Sequence, residues 1–153
     1  DIKNLVVPSG EQEVWHLLQL LSSGRTHDAL RYARGLLEHG EDPFSLWNML
    51  LWMLRNLVAV TSAVREGNRN PAKIASLHHV PFPTAKTLLS FSEKLSLDRL
   101  RSLVNAAVDA DIGLKTGALR ATSESPEELV ALIDRFVLGA CQLAKAPTPL
   151  RSS

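Results

Sequence analysis

Histidine and cysteine are the most characteristic metal ligands and reactive side chains, and this chain has five histidines and one cysteine. These residues are His16, His27, His39, His78, His79 and Cys141. Adjacent histidines on a helix point about 100° apart, and neither a His-x-x-x-His spacing nor a second cysteine completes a set of metal ligands. We therefore predict no metal, no cofactor and no catalytic residue, with the histidines at the surface or at helix caps and the cysteine buried among apolar neighbours.

An acid and a base one helical turn apart form a second candidate site. Asp111 falls on the apolar stripe of its predicted helix, and Lys115 follows in the acid-then-base order that favours a helical ion pair. Two interpretations stay open. The pair is either an exposed ion pair, worth about 0.3–0.5 kcal/mol, or a carboxylate at a helix–helix or subunit interface, where pairing fixes the register.

A phosphate-binding loop would require the pattern Gly-x-x-x-x-Gly-Lys-Ser/Thr. The nearest match runs from Gly35 to Gly40 and is followed by Glu41 and Asp42, two acids that would repel a phosphate. Most of this stretch is also predicted to be helical. We therefore predict that the chain binds no nucleotide through such a loop.

Residues 71–89 have the spacing of a helix-turn-helix motif, in which the second helix would present Thr84, Lys86 and Thr87 to a DNA major groove. His79 stands where such a motif usually has a glycine. The few lysines nearby are mixed with acids, and DNA affinity depends chiefly on neutralising phosphates. DNA binding is therefore kept as an alternative, and no sequence-specific binding is expected.

The elements that must position these residues are predicted to be helices. The chain has 27 Leu and 16 Ala against 11 Val and 4 Ile, a ratio that favours helix over strand. N-cap residues, several of them followed by proline, mark helix starts at Ser9, Thr26, Asp42, Asn70, Ser96 and Ser125, and glycines mark several ends. These signals predict an all-α bundle of about seven helices, at about 11–22, 27–39, 43–66, 71–79, 82–94, 97–115 and 126–144.

The third predicted helix is apolar on more than one face, with Trp47, Leu50, Leu54 and Leu57 on its main stripe and Trp52 to one side. Such a helix must be covered on more than one side. We therefore expect it to lie at the centre of the bundle.

Length and charge limit the class of protein. The 153 residues suit one domain, or one domain and a piece of another, and the formal net charge of +1 argues against a basic nucleic-acid-binding tail. The longest apolar run has six residues, from Met49 to Leu54, far below the roughly 20 that a membrane span needs. A single cysteine favours a reducing compartment, so we expect a cytoplasmic protein without a membrane segment.

Several short motifs occur in the order and spacing of one known family, over roughly residues 8–140. They are Ser23-Gly24 through Ala29-Leu30, Gly40-Glu41-Asp42-Pro43, Leu54-Arg55-Asn56-Leu57, Ile74-Ala75, Val80-Pro81-Phe82 with Lys86, Leu88 and Leu89, and Ala110-Asp111 with Leu114 to Gly117. With this set the chain resembles the C-terminal region of the delta subunit of the bacterial DNA polymerase III clamp loader. It departs from the family's pattern at His78-His79 and in a lengthened connection at 118–125.

The resemblance implies an α-helical collar domain at 9–144, preceded by the end of a lid domain or a linker at 1–8. The Pro- and Ser-containing residues 145–153 are predicted to form a disordered tail. The resemblance also implies non-catalytic assembly with the gamma/tau and delta prime subunits. The sliding clamp would be contacted only through an N-terminal module that is missing here, as the absent starting methionine also suggests. The whole assembly would belong to a DNA-directed DNA polymerase, a nucleotidyltransferase, in DNA replication.

On this interpretation the subunit interface is expected on the sixth and seventh helices, because they follow the central helix and carry apolar stripes. The candidate interface residues are Asp111, Lys115, Leu129, Leu132 and Phe136. The alternatives from other classes are a helix-turn-helix DNA-binding domain and an enzyme fragment whose active site needs groups that this chain lacks.

Overall fold

The computed structural model describes residues 11–118 and 127–143. Within these ranges the chain forms helices and no strand, which confirms the predicted all-α fold. The seven helices are α1 (Glu11–Ser22), α2 (Thr26–Glu38), α3 (Pro43–Arg65), α4 (Pro71–His78), α5 (Phe82–Ser92), α6 (Leu97–Thr116) and α7 (Glu127–Leu143).

Of the four predicted N-cap residues inside the described ranges, three are confirmed by capping hydrogen bonds. The Asp42 carboxylate accepts from the Ser45 amide at 3.0 Å, and the Asn70 side chain accepts from the amide of Ala72 at 2.9 Å. Ser96 accepts from the amide of Arg99 at 3.3 Å. Each contact satisfies an amide that has no partner inside its own helix.

The predicted cap at Thr26 is wrong. Thr26 is already the first residue of α2, and Arg25 occupies the cap position without a capping side-chain bond. The reason is that the Arg25 carbonyl accepts the amide of Ala29 at 2.9 Å, so the first helical turn closes one residue early. The Arg25 side chain pairs with Asp28 instead, at 2.7 Å.

The turn between α4 and α5 has a left-handed backbone conformation at His79, with φ 56° and ψ 43°. A residue with a Cβ adopts this conformation at a cost of roughly 1–2 kcal/mol, which is why glycine is usual at helix ends. Four other helices end near a glycine with positive φ, at Gly24, Gly40, Gly67 and Gly117, as predicted. His79 therefore fills a glycine-type turn position.

Helix α3 is the centre of the bundle, as expected, because α1, α5, α6 and α7 all pack against it. Helix α2 packs against α1 and α7, and α4 packs against α5. The side chains of α3 that are buried are Leu46, Trp47, Leu50, Leu51, Met53, Leu54, Leu57, Val60, Thr61 and Val64. Trp52 is half-buried at the edge and contacts Trp15 of α1, with ring centroids 5.0 Å apart.

Several predictions concern residues outside the described ranges. They are the linker at 1–8, the capping boxes that begin at Ser9 and Ser125, most of the connection at 118–125, and the tail at 145–153. These remain predictions.

Candidate subunit interface on helices α6 and α7

The carboxylate of Asp111 lies at the junction of α6 and α3. Its Oδ1 accepts a hydrogen bond from the indole Nε1 of Trp47 at 3.1 Å, and its Oδ2 pairs with Lys115 Nζ at 2.8 Å. Asp111 is 7% exposed, whereas the Lys115 side chain reaches into solvent. Of the two interpretations of this acid–base pair, the structure supports a carboxylate at a helix–helix interface.

Two opposing effects act on the pKa of Asp111. Burial raises it, whereas hydrogen bonds from Lys115 and Trp47 and the positive charges of Lys115 and Arg55 lower it. The lowering effects prevail, so the pKa lies below that of an ordinary aspartate. The carboxylate is therefore ionised at neutral pH and is satisfied by donors from two helices.

The same junction extends to α7 through an aromatic contact. The rings of Trp47 and Phe136 have centroids 5.5 Å apart and are tilted by 59°. Trp47 thus contacts α6 with its polar edge and α7 with its ring, which suits a side chain that is apolar except for one donor. Sequence reasoning had assigned Trp47 to the core but had not paired it with Asp111.

The three apolar candidates on α7 lie inside the domain. Leu129, Leu132 and Phe136 are 0%, 6% and 3% exposed. Together with Asp111 they attach α6 and α7 to the rest of the bundle, so their side chains offer almost no surface to another subunit. A role for these residues in subunit contact remains a prediction, and it would have to act through the position of the two helices.

The opposite side of α6 and α7 is open to solvent. A groove runs between the two helices, with Ala106 and Ala110 of α6 facing Leu138 and Gly139 of α7. The helices come close here, because a Cβ added to Gly139 would lie 2.8 Å from a methyl carbon of Leu103. Leu138 is 44% exposed, one of four exposed large apolar side chains in the described part of the chain. We call this feature the outer groove.

Helix α7 is also attached to α2 through an ion pair that the sequence did not predict. Arg34 donates through Nη2 to Asp134 Oδ2 at 2.9 Å, and its Nε lies 3.4 Å from Oδ1. The hydrogen bond to Asp134 and its negative charge raise the pKa of the exposed Arg34 further. The two residues are 100 positions apart, so no local pattern could have paired them.

The residues expected to face a DNA groove are not arranged for that role. Thr84 is buried, and Thr87 donates its hydroxyl to the Pro83 carbonyl at 3.1 Å. Lys86 lies over the ring of Phe82, with Nζ 5.7 Å from its centroid. Helices α1, α3 and α4 also pack against helix α5. The geometry gives no support to a recognition helix.

The histidines and the cysteine are found in ordinary structural surroundings. His39 Nδ1 lies 2.7 Å from the Gly35 carbonyl at the end of α2, His16 contacts the ring of Tyr32, and Cys141 is buried in α7. Among the residues at 11–118 and 127–143, no three His, Cys, Asp or Glu side chains are placed to hold a metal ion. In the same ranges no helix is long and apolar enough to cross a membrane.

This helical architecture is similar to that of part of a solved clamp-loader protein. Comparison with solved structures matches it to the Bacillus subtilis DNA clamp loader delta protein, with a TM-score of 0.68 at 20% sequence identity. The match covers 92% of this chain and 39% of that protein, so the chain corresponds to well under half of its structural relative.

Comparison of the sequence with family models identifies the family. The family model of the DNA polymerase III delta subunit, C-terminal domain, matches residues 11–132, and the chain belongs to this family. The predicted resemblance is thereby confirmed. No curated protein sequence gives a significant match. Neither comparison supports the helix-turn-helix alternative.

Proposed function

We propose that the chain is the collar domain of a clamp-loader delta subunit. In this role it assembles with the gamma/tau and delta prime subunits, in the cytoplasm, so that the sliding clamp can be opened and loaded on DNA during replication. The observation that carries the proposal is the family match over residues 11–132, supported by the clamp-loader fold.

The packing of the domain is consistent with a scaffold. Its central helix is covered by four others, and the junction of Trp47, Asp111 and Phe136 joins α3, α6 and α7 through one polar and one aromatic contact. A junction of this kind holds α6 and α7 in one position relative to the core. The surface that these helices present to a neighbouring subunit is then pre-organised, which lowers the entropy cost of association.

The five candidate residues take distinct parts in this proposal. Asp111 and Lys115 fix the position of α6, and Leu129, Leu132 and Phe136 fix that of α7. They act as positioning residues, and the contact with a neighbouring subunit is made by the exposed sides of the same helices.

The proposal attributes no chemistry to the domain itself. Any membership in a DNA-directed DNA polymerase holoenzyme, a nucleotidyltransferase, comes from the assembly. Contacts with the sliding clamp are proposed to belong to the N-terminal module of the delta subunit and not to these residues.

Size-exclusion chromatography with purified subunits tests the proposal. The chain is mixed with the gamma/tau and delta prime subunits of its own organism, and in a parallel run with the sliding clamp. Co-elution with the loader subunits and separate elution from the clamp are expected. Tight binding to the clamp, with no binding to any loader subunit, would contradict the assignment.

A further inference from the structure

The outer groove has the dimensions of a helix-binding site. It consists of two adjoining cavities of about 770 and 360 Å³ that share Leu103, Ala106, Gly139 and Gln142. Along α6 it extends from Asp98 to Ala110, about 18 Å at 1.5 Å per residue. That length matches about three turns of a second helix.

The groove is mostly apolar on the inside. Its lining includes the small residues Ala106, Ala110 and Gly139, together with the half-buried Leu103 and the exposed Leu138. Small residues allow a neighbouring backbone to come close, and the leucines supply apolar area that is now exposed to water. This is the pattern by which grooves accept the apolar face of an amphipathic helix.

The charges along the groove indicate the chemistry of what binds there. Arg99 lies at one end and Arg135 at the other, and both are exposed. Neither guanidinium is paired with a carboxylate among the described residues, and the only acid along the groove in this part of the chain is Asp98. A partner helix with a carboxylate near each end of its apolar stripe would therefore fit the groove.

We propose that the outer groove binds an amphipathic helix of a neighbouring clamp-loader subunit that has a carboxylate near each end of its apolar stripe. This inference rests on the proposed function. It deepens that function by placing the contact on the solvent side of α6 and α7, where Leu103, Ala106 and Leu138 lie, and not on the buried Leu129 and Leu132. Phe136 also lines this groove, but it is only 3% exposed.

Two other occupants fit the groove less well. Residues 144–153 follow directly from Leu143 at one end of the groove, but this segment carries Lys145 and Arg151, no acid, and the prolines Pro147 and Pro149. It would add cations to a groove flanked by arginines, and its prolines disfavour a helix. A second copy of the chain, paired two-fold on this face, would place arginines opposite arginines whichever way the two grooves were aligned, and Asp98 is the one carboxylate among the described lining residues that could offset them.

Binding of the loader subunits by groove variants tests the inference. Ala106→Phe fills part of the groove with an apolar ring, and Leu138→Asp places a carboxylate in its apolar lining. Each should weaken binding to at least one loader subunit by about tenfold or more, since residues at the centre of an interface dominate its affinity. The dissociation constant is measured by calorimetry or surface plasmon resonance.

The matched control is Leu77→Asp. Leu77 is 59% exposed on α4, outside the groove, so the same substitution is made on a comparably exposed leucine. The dissociation constant of the Leu77→Asp variant should stay within about twofold of the wild-type value. If Ala106→Phe and Leu138→Asp both lose the helical circular dichroism signal, Arg99→Glu combined with Arg135→Glu replaces them. This double substitution at two exposed residues should weaken binding to the loader subunit and reduce the dependence of that binding on salt.

The outcomes separate this inference from the proposed function. If the wild-type chain binds no loader subunit, the proposed function fails. If the wild type binds but every folded groove variant binds equally well, only the groove inference is overturned. It is also overturned if the variants merely convert a wild-type dimer into a monomer, or if truncation after Leu143 abolishes binding while the groove variants do not.

Discussion

Helices α6 and α7 present two unlike faces. On the inner face, Asp111, Leu129 and Phe136 are buried against α3 and its neighbours, and the carboxylate is satisfied by donors from two helices. On the outer face, Leu138 is exposed beside Ala106, and Arg99 and Arg135 have no carboxylate partner among the described residues. The same two helices thus have one face buried against the rest of the domain and one face, the outer groove, exposed to solvent.

The contrast separates stability from association. Side chains on the inner face have already lost their water on folding, so changing them should alter the free energy of unfolding. Side chains on the outer face remain hydrated, and changing them should alter binding while leaving the fold in place. The following predictions test this division, beginning with the largest expected effect.

Truncating Phe136 should produce the largest loss of stability. Phe136→Ala removes a buried ring and its contact with Trp47, and we expect it to lower the free energy of unfolding by about 3–5 kcal/mol. Urea denaturation followed by circular dichroism measures this change. Leu138→Ala, two residues away on the exposed side, is the control. A comparable loss from both variants would mean that the two faces do not differ as described.

Removing the buried carboxylate should have a smaller effect. Asp111→Ala leaves the Trp47 indole N–H buried without its acceptor, at a cost of about 1–3 kcal/mol in unfolding free energy. Lys115→Ala removes only the exposed partner and should cost less than about 1 kcal/mol. The hydrogen bond is isolated by repeating Asp111→Ala in a Trp47→Phe background. An equal cost in both backgrounds would indicate that this bond contributes nothing.

The ionised state of Asp111 predicts a pH dependence of stability. Because its pKa is lower in the folded chain than in the unfolded chain, ionisation stabilises the fold above the ordinary pKa of about 3.9. That contribution is lost as the pH falls through the folded-state value. Asp111→Asn keeps an acceptor for Trp47 but cannot ionise, so the wild type should exceed it in stability near neutral pH.

The advantage of the wild type over Asp111→Asn should shrink as the pH is lowered below about 4. Urea midpoints measured at several pH values between neutral and acidic conditions follow this difference. A difference that stayed constant over the whole range would argue against a stabilising charge at this position.

The smallest effect on stability is expected in the outer groove. Leu138→Gln replaces an exposed apolar side chain with a polar one of good helix propensity, and the unfolding free energy should change by less than about 0.5 kcal/mol. Thermal melting together with urea denaturation measures this. A loss of 2 kcal/mol or more would show that Leu138 belongs to the packed core.

The helices could be predicted from sequence because their signals are local. Asp42, Asn70 and Ser96 cap helices with hydrogen bonds to amides two or three residues away, and these bonds are found in the structure. The wrong prediction of an N-cap at Thr26 also has a local cause. The turn after Gly24 lets the helix begin one residue early, which a propensity for N-caps does not anticipate.

The candidate site could be predicted only in part. Periodicity placed Asp111 and Phe136 on apolar stripes and directed attention to α6 and α7. It did not show that Leu129 and Phe136 are covered by the domain itself, or that Leu138 is left exposed. Both sides of α7 carry apolar residues, and which side is buried depends on how α2, α3 and α6 pack against it. A buried indole N–H and a carboxylate on an apolar stripe each need a hydrogen-bond partner. This requirement is the one sequence signal that could have suggested the pairing of Trp47 with Asp111.

The amino-acid sequence by itself determined the helical class, most helix ends, the central position of α3 and the family, because capping, periodicity and short motifs act over a few residues. The tertiary structure decided the pairing of Trp47 with Asp111, which lie 64 positions apart, and the bond between Arg34 and Asp134 across 100 positions. It also decided which face of α6 and α7 is closed and which is open. Burial and pairing at this range depend on the packing of whole helices, and no local pattern contains that information.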